Sequence, residues 1–326
     1  MTHTPSRPPH PSAAQSRQAL FQTPQPKTPR AQPPPIPGGT SLRQSIGRGR
    51  QKRRGERGLW ITYSLLTAIV LISAFPLYWS IVVSSRDKSA IGRYPPPLVP
   101  GGNLWDNLTT AFDQGDFGIA LVNSTLVAGT ITVSVVFTST LAGFAFAKLR
   151  FKGKNALFGM VVATMLVPTQ LAIIPLYIMV TQWFGWSNDL RGVIVPALVS
   201  AFGVFFMRQY VASAMPDELI EAGRIDGAST LRIYWSLVLP IARPGAAVLG
   251  LLIFITYWND LFWPLILLNT QNPTVQVAIA NTASGIEVDY ALVLAGTVIA
   301  TFPILIVFLV LGRQIIGGIM QGAVKG

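Results

Sequence analysis

The chain has 326 residues, 50% of them hydrophobic and only 12% charged, where soluble domains carry about 25% charged residues. So few charges cannot cover two water-facing domains, which excludes an ordinary soluble protein and points to the membrane. There is no cysteine, which removes disulfides, thiolate metal sites and cysteine nucleophiles.

The net charge of +12 is uneven: residues 1–58 hold 11 Lys/Arg against Glu56 alone, and the remainder holds 14 Lys/Arg against 12 acids. Residues 1–57 also hold 11 of the 25 prolines and both histidines. A stretch this poor in large apolar side chains cannot offset its chain entropy, so it is expected to be a disordered, basic cytoplasmic tail. Its basic end, residues 48–57, has no interleaved aromatics of the kind nucleic-acid binding needs. It reads instead as a collar drawn to anionic membrane lipid. The tail is too long and too proline-rich for the front of a cleavable signal peptide.

A spanning helix needs about 20 mostly apolar residues. Charge-free runs predict spans at 59–83, 119–146, 157–181 and 291–312. Two further spans are less clean. One covers 192–211 and includes Arg208, which can snorkel to the headgroups; the other covers 245–268 and is interrupted by Asn259 and Asp260. Residues 58–326 are therefore expected to form an all-α membrane domain of six transmembrane helices. With six spans, 21 Lys/Arg fall on one side and 4 on the other, which puts both termini in the cytoplasm. The spans are rich in small residues, as in 139–143 (Ser-Thr-Leu-Ala-Gly), which allow close helix approach. Pro76, Pro168, Pro175, Pro264 and Pro303 lie within spans. Each removes a backbone donor, but proline is common in membrane helices.

The loop between spans 4 and 5, residues 213–243, is long, cytoplasmic and patterned. Pro216, Asp217 and Glu218 suit the first turn of a helix, Gly227 suits its C-terminus, and Ser229 can cap a second short helix running towards Pro240. Leu219, Ala222, Gly223 and Asp226 fall at spacings of three and four and share one face, flanked by Glu221 and Arg224. Such a helix lies either at the membrane interface or in a groove on another protein.

This loop resembles the signature of binding-protein-dependent ABC importer permeases: Glu-Ala-Ala, three residues, Gly, nine residues, Ile, one residue, Leu-Pro. Glu221, Ala222, Gly227, Leu239 and Pro240 match it, while Gly223 stands for the second Ala and Leu237 for the Ile. Residues 224–229, 258–264 and 322–326 extend the resemblance to the carbohydrate-uptake, maltose-type branch, over roughly residues 55–326. The resemblance implies a type I importer permease fold in a bacterial or archaeal plasma membrane. It implies a coupling helix between helices 4 and 5 in which Glu221 pairs with a basic residue of an ATPase subunit and Gly227 makes the turn. Asp226 belongs to the same segment. The implied partners are a second, related permease chain, two cytoplasmic ATPase subunits that hold ATP and magnesium, and an extracytoplasmic sugar-binding protein. The binding protein is met by the outer loop 269–290, and residues 321–326 approach the ATPases.

No cofactor, metal or nucleic-acid site is expected in the chain, and it is not expected to be an enzyme. Its one Gly-Lys pair, Gly153 and Lys154, is followed by Asn155, so no phosphate-binding loop is present. Energy must come from an ATPase partner or from an ion gradient, and Asp260 is the one intramembrane candidate for the second route. Tyr257, Trp258, Asn259 and Asp260 combine aromatic faces with planar hydrogen-bonding groups, as a sugar path requires. The preferred reading of this stretch is different: an interfacial belt of Trp258 and Trp263, with the polar pair near the outer headgroups or packing the fold. The leading solute is a disaccharide or oligosaccharide, and a polyol or glycerol phosphate is the alternative.

Overall fold

The structure is a computed structural model; it describes the backbone of residues 41–284 and 287–323 and the side chains of 59–284 and 287–312. The chain divides into two units, Met1–Thr67 and Ala68–Gly326. Among the described residues all regular secondary structure is helical.

Helix α1 covers Ser41–Ser84, and its stretch Leu59–Ser84 is long and apolar enough to cross a membrane. Residues 41–57 are thus helical, not part of an irregular tail. The last proline of the tail is Pro37, and residues 41–57 are rich in Arg, Gln and Lys, which favour a helix. Residues 1–40 lie outside the described residues. On the far side of α1, helix α2 (Leu104–Gln114) is pinned beneath the span's end. Asn107 Nδ2 donates to the carbonyls of Ser84 (2.8 Å) and Arg86 (2.7 Å), and the Arg86 guanidinium donates to Val99.

Helix α3 (Phe117–Lys148) is the second span and the centre of the packing. The third expected span, 157–181, is not one straight helix. It consists of α4 (Lys154–Thr164), a 3-10 turn at Thr169–Ala172, α5 (Ile173–Ile178) and a π-helical turn at Met179–Trp183, with an 85° bend between the halves. Pro168 is the cause. It has no N–H to offer and disfavours helical backbone at Val167, and the chain at Pro168 is extended (ψ 123°).

The fourth span, Leu190–Ala214, joins α6 (Leu190–Ile194) to α7 (Ala201–Ala214). Asp189 Oδ1 accepts from Arg191 N (2.8 Å) and Ser200 Oγ accepts from Gly203 N (3.1 Å), so each piece has its own cap. A short helix α8 (Asp217–Ile225) follows. Next come α9 (Thr230–Ile233), a π-helical turn at Tyr234–Val238, α10 (Leu239–Trp258) and α11 (Phe262–Leu267), which together form one candidate span, Thr230–Leu267. The expected loop 213–243 is therefore shorter than its sequence suggested: residues 230–243 belong to the base of the fifth span. Pro240 does not end a helix; it sits in the first turn of α10, where its missing N–H costs least. Helix α12 (Val275–Thr282) lies in the loop between the fifth and sixth spans, and α13 (Tyr290–Ala323) carries the sixth span. Five unbroken candidate spans and one bent pair give six among the described residues.

Small residues set the helix spacing. A Cβ on Gly143 of α3 would lie 2.8 Å from Arg208 N and Met207 Cβ of α7, and a Cβ on Gly203 would run into the Ser139 hydroxyl. On α10, a Cβ at Gly245 would stand 2.6 Å from the Tyr210 ring. Around these contacts Ile131, Val135, Phe144, Met207, Tyr234 and Leu249 form a buried core shared by α3, α7, α10 and the π-helical turn between α9 and α10. At the opposite end, buried Trp258 stacks on Phe254 and donates from Nε1 to the Ala300 carbonyl (3.1 Å), which fastens α10 to α13.

Candidate coupling site and solute path

Helix α8 starts with Asp217 and Glu218 in its first turn and has Arg224 in its last, charges that suit the helix dipole at both ends. It ends in a Schellman turn. Ala228 N donates to Gly223 O (2.9 Å) and Gly227 N to Arg224 O (3.0 Å), with Gly227 at φ +76°. Ser229 Oγ then accepts from Arg232 N (3.3 Å) and starts α9. The expected glycine turn and serine cap are both present at atomic detail.

The helix is held from one side only. Ile220 is buried, and Gly223 faces Ile233 and Leu237 of the segment that leads into α10. A Cβ at position 223 would approach Ile233 Cγ1 to 3.3 Å and Leu237 Cδ1 to 3.5 Å. The two positions at which the sequence departs from the permease signature are therefore neighbours. A Cβ at 223 would touch Leu237 at ordinary van der Waals distance, so the two positions can couple through packing, and its tighter approach is to Ile233.

A second tie is electrostatic. Lys148 Nζ, at the last turn of α3, lies 2.6 Å from Asp217 Oδ1 at the first turn of α8. The lysine side chain is 7% exposed and the aspartate 77%. The Lys148 hydrogen bond, and then its charge, hold the Asp217 carboxyl below its ordinary range. Sequence reasoning counts Lys148 only towards topology. Its separation from Asp217 in the chain gives no sign of the pairing.

The outward side of α8 is open. Glu221, Ala222 and Asp226 are exposed, as are Leu219 (41%) and Ile225 (86%) on α8 and Leu231 (66%) and Trp235 (55%) beyond it. Of the face expected from spacing, Leu219, Ala222 and Asp226 point away from the chain and Gly223 turns inward. Ile225, Leu231 and Trp235 are absent from the expected set, although an apolar side chain three residues after Ala222 is a readable signal. Leu239 and Pro240 stand at the foot of α10, not on α8.

The other candidate residues sit where α10 breaks. Tyr257 is half-buried, Asn259 is exposed and Asp260 is half-buried. Asn259 Nδ2 closes on the Ile255 carbonyl (2.8 Å), and its Oδ1 accepts from Gln276 Nε2 of α12 (3.4 Å). Trp258 is a packing residue whose one donor is already used. The belt reading does not hold for Trp258, which is fully buried. Trp263 is half-buried and donates from Nε1 to the Gly192 carbonyl (3.1 Å), which ties α11 to α6. The start of the loop between α11 and α12 is held firmly: Asn123 Nδ2 donates to Asn272 Oδ1 (2.8 Å) and to Pro273 O (2.9 Å), and Asn272 Nδ2 donates to Asn188 O (3.1 Å).

Residues 136–315 match the family model for the "Binding-protein-dependent transport system inner membrane component". The chain belongs to this family. It is 31% identical over 278 residues to the sn-glycerol-3-phosphate transport system permease protein UgpE of Yersinia pestis bv. Antiqua (strain Antiqua), covering 82% of this chain and 98% of that one. It is also 31% identical over 266 residues to the lactose transport system permease protein LacG of Rhizobium radiobacter, covering 81% and 96%. A solved bacterial ABC transporter involved in the import of the acidic polysaccharide alginate contains a chain of the same fold. The TM-score is 0.67 at 23% identity, over 80% of this chain and 97% of that one. The chain is thus an integral membrane permease component of an ABC importer with the type I permease fold.

Proposed function

We propose that this permease moves a sugar, a disaccharide or oligosaccharide, delivered by an extracytoplasmic binding protein, and that ATPase subunits drive it through α8. The observation that carries the proposal is the construction of α8: fixed to the permease core by Ile220, Gly223 and the Lys148–Asp217 pair, yet open on the side that bears Glu221, Ala222 and Asp226. A helix built in this way transmits force. Closure of an ATPase dimer would move α8, and because α9, the π-helical turn and α10 form one segment, the push would re-tilt the fifth span. Hydrolysis of ATP, with its magnesium, belongs to those subunits, and a second permease chain completes the pathway. The 21-to-4 charge bias supports placing α8 and both termini in the cytoplasm. On that orientation Tyr257, Asn259 and Asp260 lie towards the outer half of the solute path, with Trp258 fixing its wall.

LacG supports the sugar reading. A second reading, a glycerol phosphate, is favoured by the equally similar UgpE. Uptake of labelled disaccharide and labelled glycerol phosphate by cells carrying the whole transporter separates the two. The coupling role is tested with Glu221→Lys: the variant should insert and assemble normally but lose ATP-driven uptake. Wild-type uptake by that variant, or uptake that survives ATP depletion and fails with a protonophore, would overturn the role.

A further inference from the structure

Three of the four ion pairs among the described residues are surface pairs, with both partners at least 31% exposed, and such pairs hold little. Lys148–Asp217 differs, because its lysine is 7% exposed. Asp217 is the only hydrogen-bond partner of that ammonium among the described residues. The pair is also the one hydrogen bond or ion pair between α3 and α8 there. Helix α7 reaches α8 through Met215 and Pro216, and α8 reaches α9 and α10 through the Gly227 turn, so the fourth and fifth spans are joined to α8 by the chain itself. Helix α3 has no such connection. Its end is fixed from another side: Lys154 Nζ, in the first turn of α4, donates to the carbonyls of Ala147 (3.3 Å) and Leu149 (3.0 Å), which flank Lys148.

We propose that Lys148 is a positioning residue for coupling: its ion pair relays a displacement of α8 to α3, and through Lys154 to α4, so that the second and third spans receive the push as well as the fourth and fifth. The proposal rests on the reading of α8 as the coupling helix given above. Its physical basis is desolvation. An ammonium this enclosed is stable only while its carboxylate is beside it, and withdrawing one partner of such a pair leaves an uncompensated charge. A moving α8 therefore either carries the end of α3 with it or strands Lys148. The contact at Gly223 cannot serve the same end, because it faces Ile233 and Leu237, which belong to the segment leading into α10.

The test uses the reconstituted transporter, with solute uptake per ATP hydrolysed and melting temperature measured on each preparation. Lys148→Met removes the charge and keeps most of the volume. It should lower uptake per ATP by roughly fivefold or more, the range of coupling between linked sites, while ATP hydrolysis continues. Lys148→Arg keeps the charge and should retain coupling. The chain has no cysteine, so Lys148→Cys with Asp217→Cys, in a transporter whose other subunits also lack cysteine, gives a bridge that can be made and broken. Unbridged, the double variant should be uncoupled. Joined by a short bis-methanethiosulfonate it should recover, and reduction should uncouple it again. Should Lys148→Met not fold, the same preparation of the double variant before and after bridging decides alone. A lower melting temperature with uptake per ATP unchanged, or no recovery on bridging, overturns the relay. Wild-type uptake per ATP in Lys148→Met beside a loss of uptake in Glu221→Lys overturns the relay and leaves α8 as the coupling helix. Wild-type uptake in both variants overturns that reading as well.

Discussion

Gly227 offers a test in which geometry, not side-chain volume, has to set the outcome. Its φ of +76° belongs to the left-handed region, its N–H bonds the Arg224 carbonyl at 3.0 Å, and a Cβ there would meet nothing within 4 Å. Substitution is therefore free of steric cost and is penalised only by backbone preference. Asparagine tolerates this region and should behave nearly as glycine does. Alanine should cost about 1–2 kcal/mol, which lowers the ratio of turned to unturned chain by roughly five- to thirtyfold. Proline can adopt neither the angle nor the hydrogen bond and should abolish the turn. The assay is ATP-driven uptake by the reconstituted transporter, with ATP hydrolysis followed alongside to detect uncoupling. Uptake should fall in the order Gly, Asn, Ala, Pro. An order that follows side-chain volume, with asparagine worse than alanine, would rule out backbone control of the turn, as would wild-type uptake by Gly227→Pro.

The paired departure from the permease signature calls for a double-mutant cycle. Gly223→Ala and Leu237→Ile should each lower thermal stability or uptake, and together lose less than their sum, with a coupling of about 0.5–3 kcal/mol; strict additivity would show that the contact is incidental. Gly143→Ala should destabilise the detergent-solubilised protein by about 1–3 kcal/mol, because the added methyl meets the backbone of α7. Gly129→Ala, which meets nothing within 4 Å, should not lower the melting temperature. The Asp217 carboxyl is lowered from its ordinary 3.8 by Lys148, so the pair's stabilisation is present above that ordinary value and lost as pH falls through the lower folded-state value. Asp217→Asn should therefore melt below wild type by a constant margin from about pH 5 to 8, and the margin should close in stronger acid. A margin that widens on acidification would contradict the pairing.

The span count, the charge asymmetry and the caps of α8 are legible in the sequence because each rests on a local rule: an apolar length, a Lys/Arg count, a glycine or serine at a helix end. The break in the third span is not. Pro76, Pro244 and Pro303 lie inside continuous helices while Pro168 marks an 85° bend, and a proline alone does not tell the two apart. The extent of the coupling loop is overestimated because Pro240 looks like a stop signal, whereas the first turn of a helix accepts it. The burial of Trp258 is not legible because its hydrogen-bond partner, Ala300, and its place against α13 are distant in sequence. That Gly223 and Leu237, the two departures from the signature, lie side by side is visible only in the structure. No one-dimensional pattern carries that relation.

If α8 couples the permease to an ATPase, its open face must look into the cytoplasm. The chain has no cysteine, so Ile225→Cys, at a side chain 86% exposed, provides a single reporter. In intact cells a membrane-impermeant maleimide should leave it unlabelled and should react only after permeabilisation. A crosslinker attached at that position should capture the ATPase subunit. Labelling from outside intact cells, or capture of the extracytoplasmic binding protein, would contradict the account.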